Sequence, residues 1–186
     1  MSGRKFLISG TGCALADHLY SDISFSSSTF SKYLSKKPGD GGISPGRLVF
    51  TEELEKFCGQ RYEEILQDIT GGKDPDGINI GGPGLVSMIN VAQLLDEDEF
   101  SVKFFGRTGK DKTSEMIISR TGSTPLDISA YLPLSKKPTP FTDVFSDPLF
   151  DGGNGERTFV NNIGAAWDYL PGMIPEEFFK SEIICF

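Results

Sequence analysis

Histidine, tryptophan and cysteine are scarce in this 186-residue chain, with one, one and three copies respectively. The three cysteines, Cys13, Cys58 and Cys185, are an odd number, far apart, and form neither a CxxC pair nor a cluster with metal-ligand spacing. That excludes a disulfide framework and points to a reducing compartment. Positive charge is also short: 18 Lys and Arg face 26 Asp and Glu, a formal net charge of −8. Such a balance opposes binding to a polyanion, so neither nucleic acid nor an anionic membrane surface is an expected partner. Long apolar runs are missing too. Met1-Ser2-Gly3-Arg4-Lys5 leads into a few apolar residues only, too few for a signal-peptide core, and nothing approaches the roughly 18 residues of a membrane span. The expected location is the cytoplasm. Apart from Ser24 to Ser31 there is no low-complexity tract, and there is no internal repeat.

What is present is an ordinary globular composition, 38% hydrophobic and 24% charged, with 22 glycines. A chain of this length can bury roughly 70% of its unfolded surface in one domain. Lys5 to Ser9 reads as a short buried strand ending at Gly10-Thr11-Gly12. The stretch Leu19 to Phe50 reads as an exposed excursion of strands and loops. Leu54, Phe57, Cys58, Ile65, Leu66 and Ile69 recur at helical spacing, which predicts one scaffold helix over Thr51 to Thr70, capped by Thr51. Gly71 to Gly77 is a turn cluster, in which Pro75 and Asp76 argue against a phosphate loop.

The glycine-rich turn Asn79-Ile80-Gly81-Gly82-Pro83-Gly84 runs straight into the apolar stretch Leu85 to Leu95. Glycines let a ligand approach the backbone, and a helix starting there would offer it free N–H groups. A strand over Ser101 to Gly106 and a helix from about Asp111 to Arg120 follow, and this alternation predicts an α/β sheet. Phe141 to Phe145 and Arg157 to Asn161 have the pattern of a long β-hairpin. Pro175 opens a short helix, and Ile183 to Phe186 reads as another strand.

Several residues are candidates for chemistry. Asp17 follows a strand end and an uncharged run, so its carboxylate suits two neighbouring hydroxyls of a sugar, or a turn cap. His18 sits beside it, but neighbours in a strand face opposite ways, which reads as a bystander rather than a catalytic base. Arg107 suits a ligand phosphate or carboxylate, or a surface acid. Trp167 and Tyr169 read as packing residues. Gly10-x-Gly12 lacks the third glycine of a dinucleotide fingerprint.

Gly12 and Asp17, the Gly81-Gly82 pair opening a helix, and Gly109-x-Asp111 after the next strand together resemble the front half of a ribokinase-like (PfkB family) carbohydrate kinase. Gly155 to Asn162 resembles a lid strand of those enzymes, so the resemblance runs along essentially the whole chain. It implies the N-terminal part of a ribokinase-like three-layer α/β sandwich over residues 1–186, with a small β lid from about 19–50 and 138–164. It implies substrate binding by Asp17, Gly41, Gly42, Gly81 and Gly82, with Arg107 as a further contact. ATP and Mg²⁺ are implied as cofactors and a small-molecule sugar or nucleoside as substrate, while the unpaired edges of exposed lid strands suit pairing with a second copy in a homodimer. Leu85 to Ser87 and Leu15 stand where the family commonly has asparagines, which points away from a ribose-like substrate. The family's Gly-Ala-Gly-Asp motif, which carries the general base, does not occur. The expectation is a substrate-binding half that cannot phosphorylate alone. An adenosine-kinase-like nucleoside kinase, a non-catalytic sugar-binding module and a dimerisation fragment are the alternatives.

Overall fold

A computed structural model describes residues Lys5 to Phe186. In chain order the elements are β1 (Phe6–Gly10), β2 (Leu15–Tyr20), β3 (Leu48–Phe50), α1 (Thr51–Cys58), α2 (Tyr62–Thr70), β4 (Gly77–Gly81), α3 (Pro83–Leu94), β5 (Phe100–Thr108), α4 (Lys112–Thr121), β6 (Asp127–Pro133), β7 (Phe141–Asp147), β8 (Glu156–Asn162) and β9 (Ile183–Cys185). The chain divides into two compact units. The first holds the described residues up to Ala16, together with Ile80–Pro140 and Ile163–Phe186; the second holds Asp17–Asn79 and Phe141–Asn162.

The first unit is built on a parallel sheet in the order β6-β5-β1-β9. Alternation along β5 explains its two faces. Val102 and Phe104 join Ile8, Leu85, Met88, Ile117 and Tyr131 in one buried cluster, which places α3 and α4 on that face. Phe105 points the other way and meets Phe178 edge to face, at 5.3 Å between ring centroids. Short 3₁₀ turns, Gly164–Asp168 and Glu176–Lys180, pack on this sheet, the second of them carrying Phe178. Lys103 is tied there to Glu177 at 2.8 Å and to Asp127 at 3.6 Å.

The second unit is built on a five-stranded sheet in the order β3-β8-β7-β2-β4. β7 and β8 form the expected antiparallel hairpin, with Val144 opposite Phe159. Its core gathers Tyr20, Phe25, Phe30, Tyr33, Ile43, Leu54, Ile65, Phe145 and Val160. Phe25 stacks on Phe30 at 4.6 Å, and Phe30 meets Phe145 edge to face.

Several expectations need correction. The single helix over 51–70 is two, because Gly59 adopts φ +68° as a left-handed C-cap and the chain restarts at Arg61. Thr51 is not the cap: Phe50 holds that position, and the Thr51 hydroxyl instead meets Glu52 and Asn162. Asn79 to Gly81 belong to β4 rather than to a turn, since the polar and glycine residues of this strand concealed its extended pairing. β6 went unread, its Asp, Ser and two-sided pattern being weak strand signals. Trp167 is 68% exposed and packs little. Leu19 to Phe50 is mostly irregular, with β3, one 3₁₀ turn and an isolated bridge between Leu34 and Ile43.

Candidate functional site

The sequence-derived residues fall in both units: Gly81, Gly82 and Arg107 in the first, Asp17, Gly41 and Gly42 in the second. In the first unit the loop after β1 lies directly against the start of α3. Gly82 is the N-cap, with φ +87°, and Pro83 fits the first helical position. A side chain at Gly82 would run into the backbone of Cys13 and Ala14. The Leu85 N–H, one of the free donors of the helix start, is taken by the Cys13 carbonyl at 3.0 Å. The glycines here therefore let two backbones touch, and Gly81 is buried at the end of β4. Asp111 caps α4 by accepting the Ser114 N–H at 2.9 Å. It also accepts the Thr139 N–H at 2.7 Å and the Thr139 hydroxyl at 2.6 Å. Burial pushes its carboxyl up, but these bonds win and hold it below the usual carboxylate range.

The connections β1 to β5 to β6 move to one side of the first-unit sheet, while β9 lies on the other side of β1. Such a reversal leaves a crevice at the carboxyl ends of the strands. A cavity of about 390 Å³ lies there, lined by Gly12, Gly106, Arg107, Tyr131, Tyr169 and Phe186, among others. Arg107 is half-buried in its wall, with Nη1 3.5 Å from the Asp168 carbonyl.

In the second unit Asp17 opens on β2 and is half-buried. Burial raises the pKa of its carboxyl, the neighbouring His18 pulls it the other way, and no hydrogen-bond donor contributes. A carboxylate partly stripped of water and without protein donors has its acceptor capacity open. His18, one residue on, has a partner within the sheet. Its Nδ1 lies 2.9 Å from Oδ1 of the fully buried Asp143, and its ring stacks on Phe141 at 5.5 Å. The Tyr62 hydroxyl donates to the other oxygen of Asp143. The sequence held one signal for this network, an aspartate in the middle of the apolar strand Phe141 to Phe145.

The Asp40-Gly41-Gly42 turn borders a separate cavity of about 430 Å³ whose walls include Arg47, Glu53 and Lys56 but not Asp17. Gly41 has φ +88°, and a Cβ there would come within 2.7 Å of the Glu53 carbonyl. Asp40 accepts the N–H groups of Lys36, Lys37 and Gly42 at 2.7, 3.0 and 3.0 Å. Burial works against its ionisation, yet these bonds pull its pKa down to about 2. Among the described residues no group of three His, Cys, Asp or Glu could hold a metal ion. No helix of the described residues is long and apolar enough to cross a membrane.

Parallel strands, crossover helices and the two-part core define a ribokinase-like α/β fold. The chain is similar to an adenosine kinase of Anopheles gambiae solved with P1,P4-di(adenosine-5) tetraphosphate, with 18% identity, a TM-score of 0.60, and coverage of 91% of this chain and 44% of that one. It is likewise similar to the apo adenosine kinase of Trypanosoma brucei brucei, with 18% identity, a TM-score of 0.58 and coverage of 98% and 49%. A probable sugar kinase of Rhizobium etli aligns at 16% identity, with a TM-score of 0.57 and coverage of 92% and 42%. The chain spans less than half the length of each of these proteins. No family model and no curated protein matches its sequence.

Proposed function

We propose that the chain is the N-terminal, substrate-binding portion of a ribokinase-like kinase that transfers phosphate from ATP to a hydroxyl of a sugar or sugar-like small molecule. The observation that carries this reading is Asp17: a half-buried carboxylate with no hydrogen-bond donor among the described residues, on a chain aligned over nine-tenths of its length with kinases. In that role Asp17 accepts hydrogen bonds from adjacent hydroxyls of the substrate and fixes which one is presented.

ATP would supply the transferred phosphoryl group. No described residue is assigned to it or to Mg²⁺. Phosphoryl transfer needs a positioned base and phosphate-binding donors together. We therefore assign substrate binding, not turnover, to these 186 residues.

The test is calorimetry of the 186-residue protein with neutral hexoses, pentoses and nucleosides, repeated with Asp17→Asn. Binding of one of these classes that weakens roughly 10- to 100-fold on losing the charged acceptor supports the proposal. If none binds, or Asp17→Asn binds as well as the wild type, the proposal fails. A nucleoside as the sole ligand would move the substrate class accordingly.

A further inference from the structure

The first-unit cavity has a feature that hydroxyl recognition does not use. Most of its wall is apolar or aromatic, formed by Ile163, Ile174, Tyr169 and Phe186 with the backbone of Gly12 and Gly106. One cation, Arg107, is set into this wall. Its guanidinium has five donors, and its only hydrogen bond among the described residues is the long one to the Asp168 carbonyl. The nearest acid does not neutralise it. The Asp168 carboxylate is directed to Lys137 at 2.9 Å and to the Ser135 hydroxyl at 2.7 Å, and it feels Arg107 more weakly than these two. No ion pair forms at Arg107 among the described residues, in a chain carrying 26 acids.

A half-desolvated guanidinium with no ion pair of its own, only the more distant pull of Asp168, is costly, and the cost is relieved by an anion. Its planar fork matches the two oxygens of a carboxylate or phosphate. The surrounding apolar wall suits a carbon body rather than a hydrated ion. We propose that this cavity binds a small organic anion, a carboxylate or a phosphate ester, with Arg107 holding the acid group and the Ile163, Ile174 and Tyr169 side holding the apolar body. The inference stands on the first unit alone and does not depend on Asp17 or on phosphoryl transfer.

The experiment is calorimetry of the 186-residue protein with benzoate, phenyl phosphate and neutral benzyl alcohol, on wild type, Arg107→Met, Arg107→Lys and Ala166→Phe. Arg107→Met keeps an apolar stem and loses the charge, Arg107→Lys keeps the charge and loses the fork, and Ala166→Phe narrows the apolar side. The expected result is binding of benzoate or phenyl phosphate with a dissociation constant below about 1 mM and much weaker binding of benzyl alcohol. Arg107→Met should then lose roughly 10- to 100-fold in affinity for the anion, Arg107→Lys less, and Ala166→Phe should lose binding of all three probes. Preference for benzoate over phenyl phosphate, or the reverse, identifies the acid. Equal affinity for the alcohol and the anions, unchanged binding in Arg107→Met, or no binding of either anion overturns the proposal. Thermal melts of the variants identify any that do not fold, and Arg107→Lys, the most conservative of them, then carries the comparison. Because the probes are acids without sugar hydroxyls, failure here leaves the Asp17 titrations unaffected, and failure there leaves this result standing.

Discussion

His18 Nδ1 and Asp143 Oδ1 lie 2.9 Å apart across β2 and β7, although 125 residues separate them in the chain. Asp143 is fully buried, so its carboxylate depends on His18 and on the Tyr62 hydroxyl for every described hydrogen bond its side chain makes. Tyr62→Phe removes one donor and leaves a buried acceptor unsatisfied, at a cost of about 1–3 kcal/mol. For a protein of this size that is a fall of roughly 2–12 °C in melting temperature. Asp143→Leu, which removes the charge itself, should cost less than His18→Ala, which strands it. Thermal melts of the three variants check the order. Equal melting of Tyr62→Phe and wild type would show that the network is not structural.

Gly82→Ala places a Cβ against the Cys13 carbonyl on a backbone of φ +87°. Both the left-handed conformation and the clash oppose it, so a loss of about 2–4 kcal/mol is expected. Gly59→Ala shares the positive φ but meets nothing within 4 Å, and should lose only about 1 kcal/mol. Chemical denaturation of the pair separates strain from collision.

Asp40 responds to acid in a defined direction. Its folded pKa of about 2 lies below the ordinary 3.8, so its contribution to the turn is complete above the ordinary value and is lost as pH falls through about 2. The amide signals of Lys36, Lys37 and Gly42 should follow that titration in NMR, and in Asp40→Asn they should be flat over the same range.

Asp17 shifts the opposite way. Burial raises its pKa, so its charge opposes folding at neutral pH. Asp17→Asn should therefore melt slightly higher than wild type at pH 7, and the difference should vanish below pH 3, where the wild-type carboxyl is protonated. A variant that is more stable yet binds substrate worse is what a ligand-facing acid predicts. A lower melting temperature at pH 7 would indicate that Asp17 holds the fold together.

Legibility in the sequence followed the strength of local signals. β1, β5, the β7–β8 hairpin, α3 and α4 were readable because apolar period and punctuating glycines agree there. The break at Gly59 was not, because apolar spacing runs on smoothly from Leu54 to Ile69 while a single left-handed residue divides the helix. β4 was hidden because Gly77, Asn79 and Gly81 are poor strand formers held extended by pairing with β2. Of the candidate residues, Asp17 and Arg107 were singled out from residue type and position, and the structure places one half-buried on β2 and the other in a cavity wall. The glycines were legible as special but not as to why: Gly82 makes room for Cys13 and Gly41 for Glu53. The partner of His18 was not legible, because strand alternation says which side it faces but not that Asp143 waits there.

The division of the chain into units also sets an order of events during synthesis. Residues 17–79 leave the ribosome with two of the five strands of their sheet missing, since β7 and β8 come from residues 141–162. At 5–20 residues per second, His18 waits roughly 6–25 s for the strand carrying Asp143. Through that interval β2 has no β7 to pair with, and Tyr20 and Phe30 lack Phe145. The early segment is thus a natural client for a holding chaperone, and a slow-translating codon run between residues 80 and 140 would lengthen its exposure.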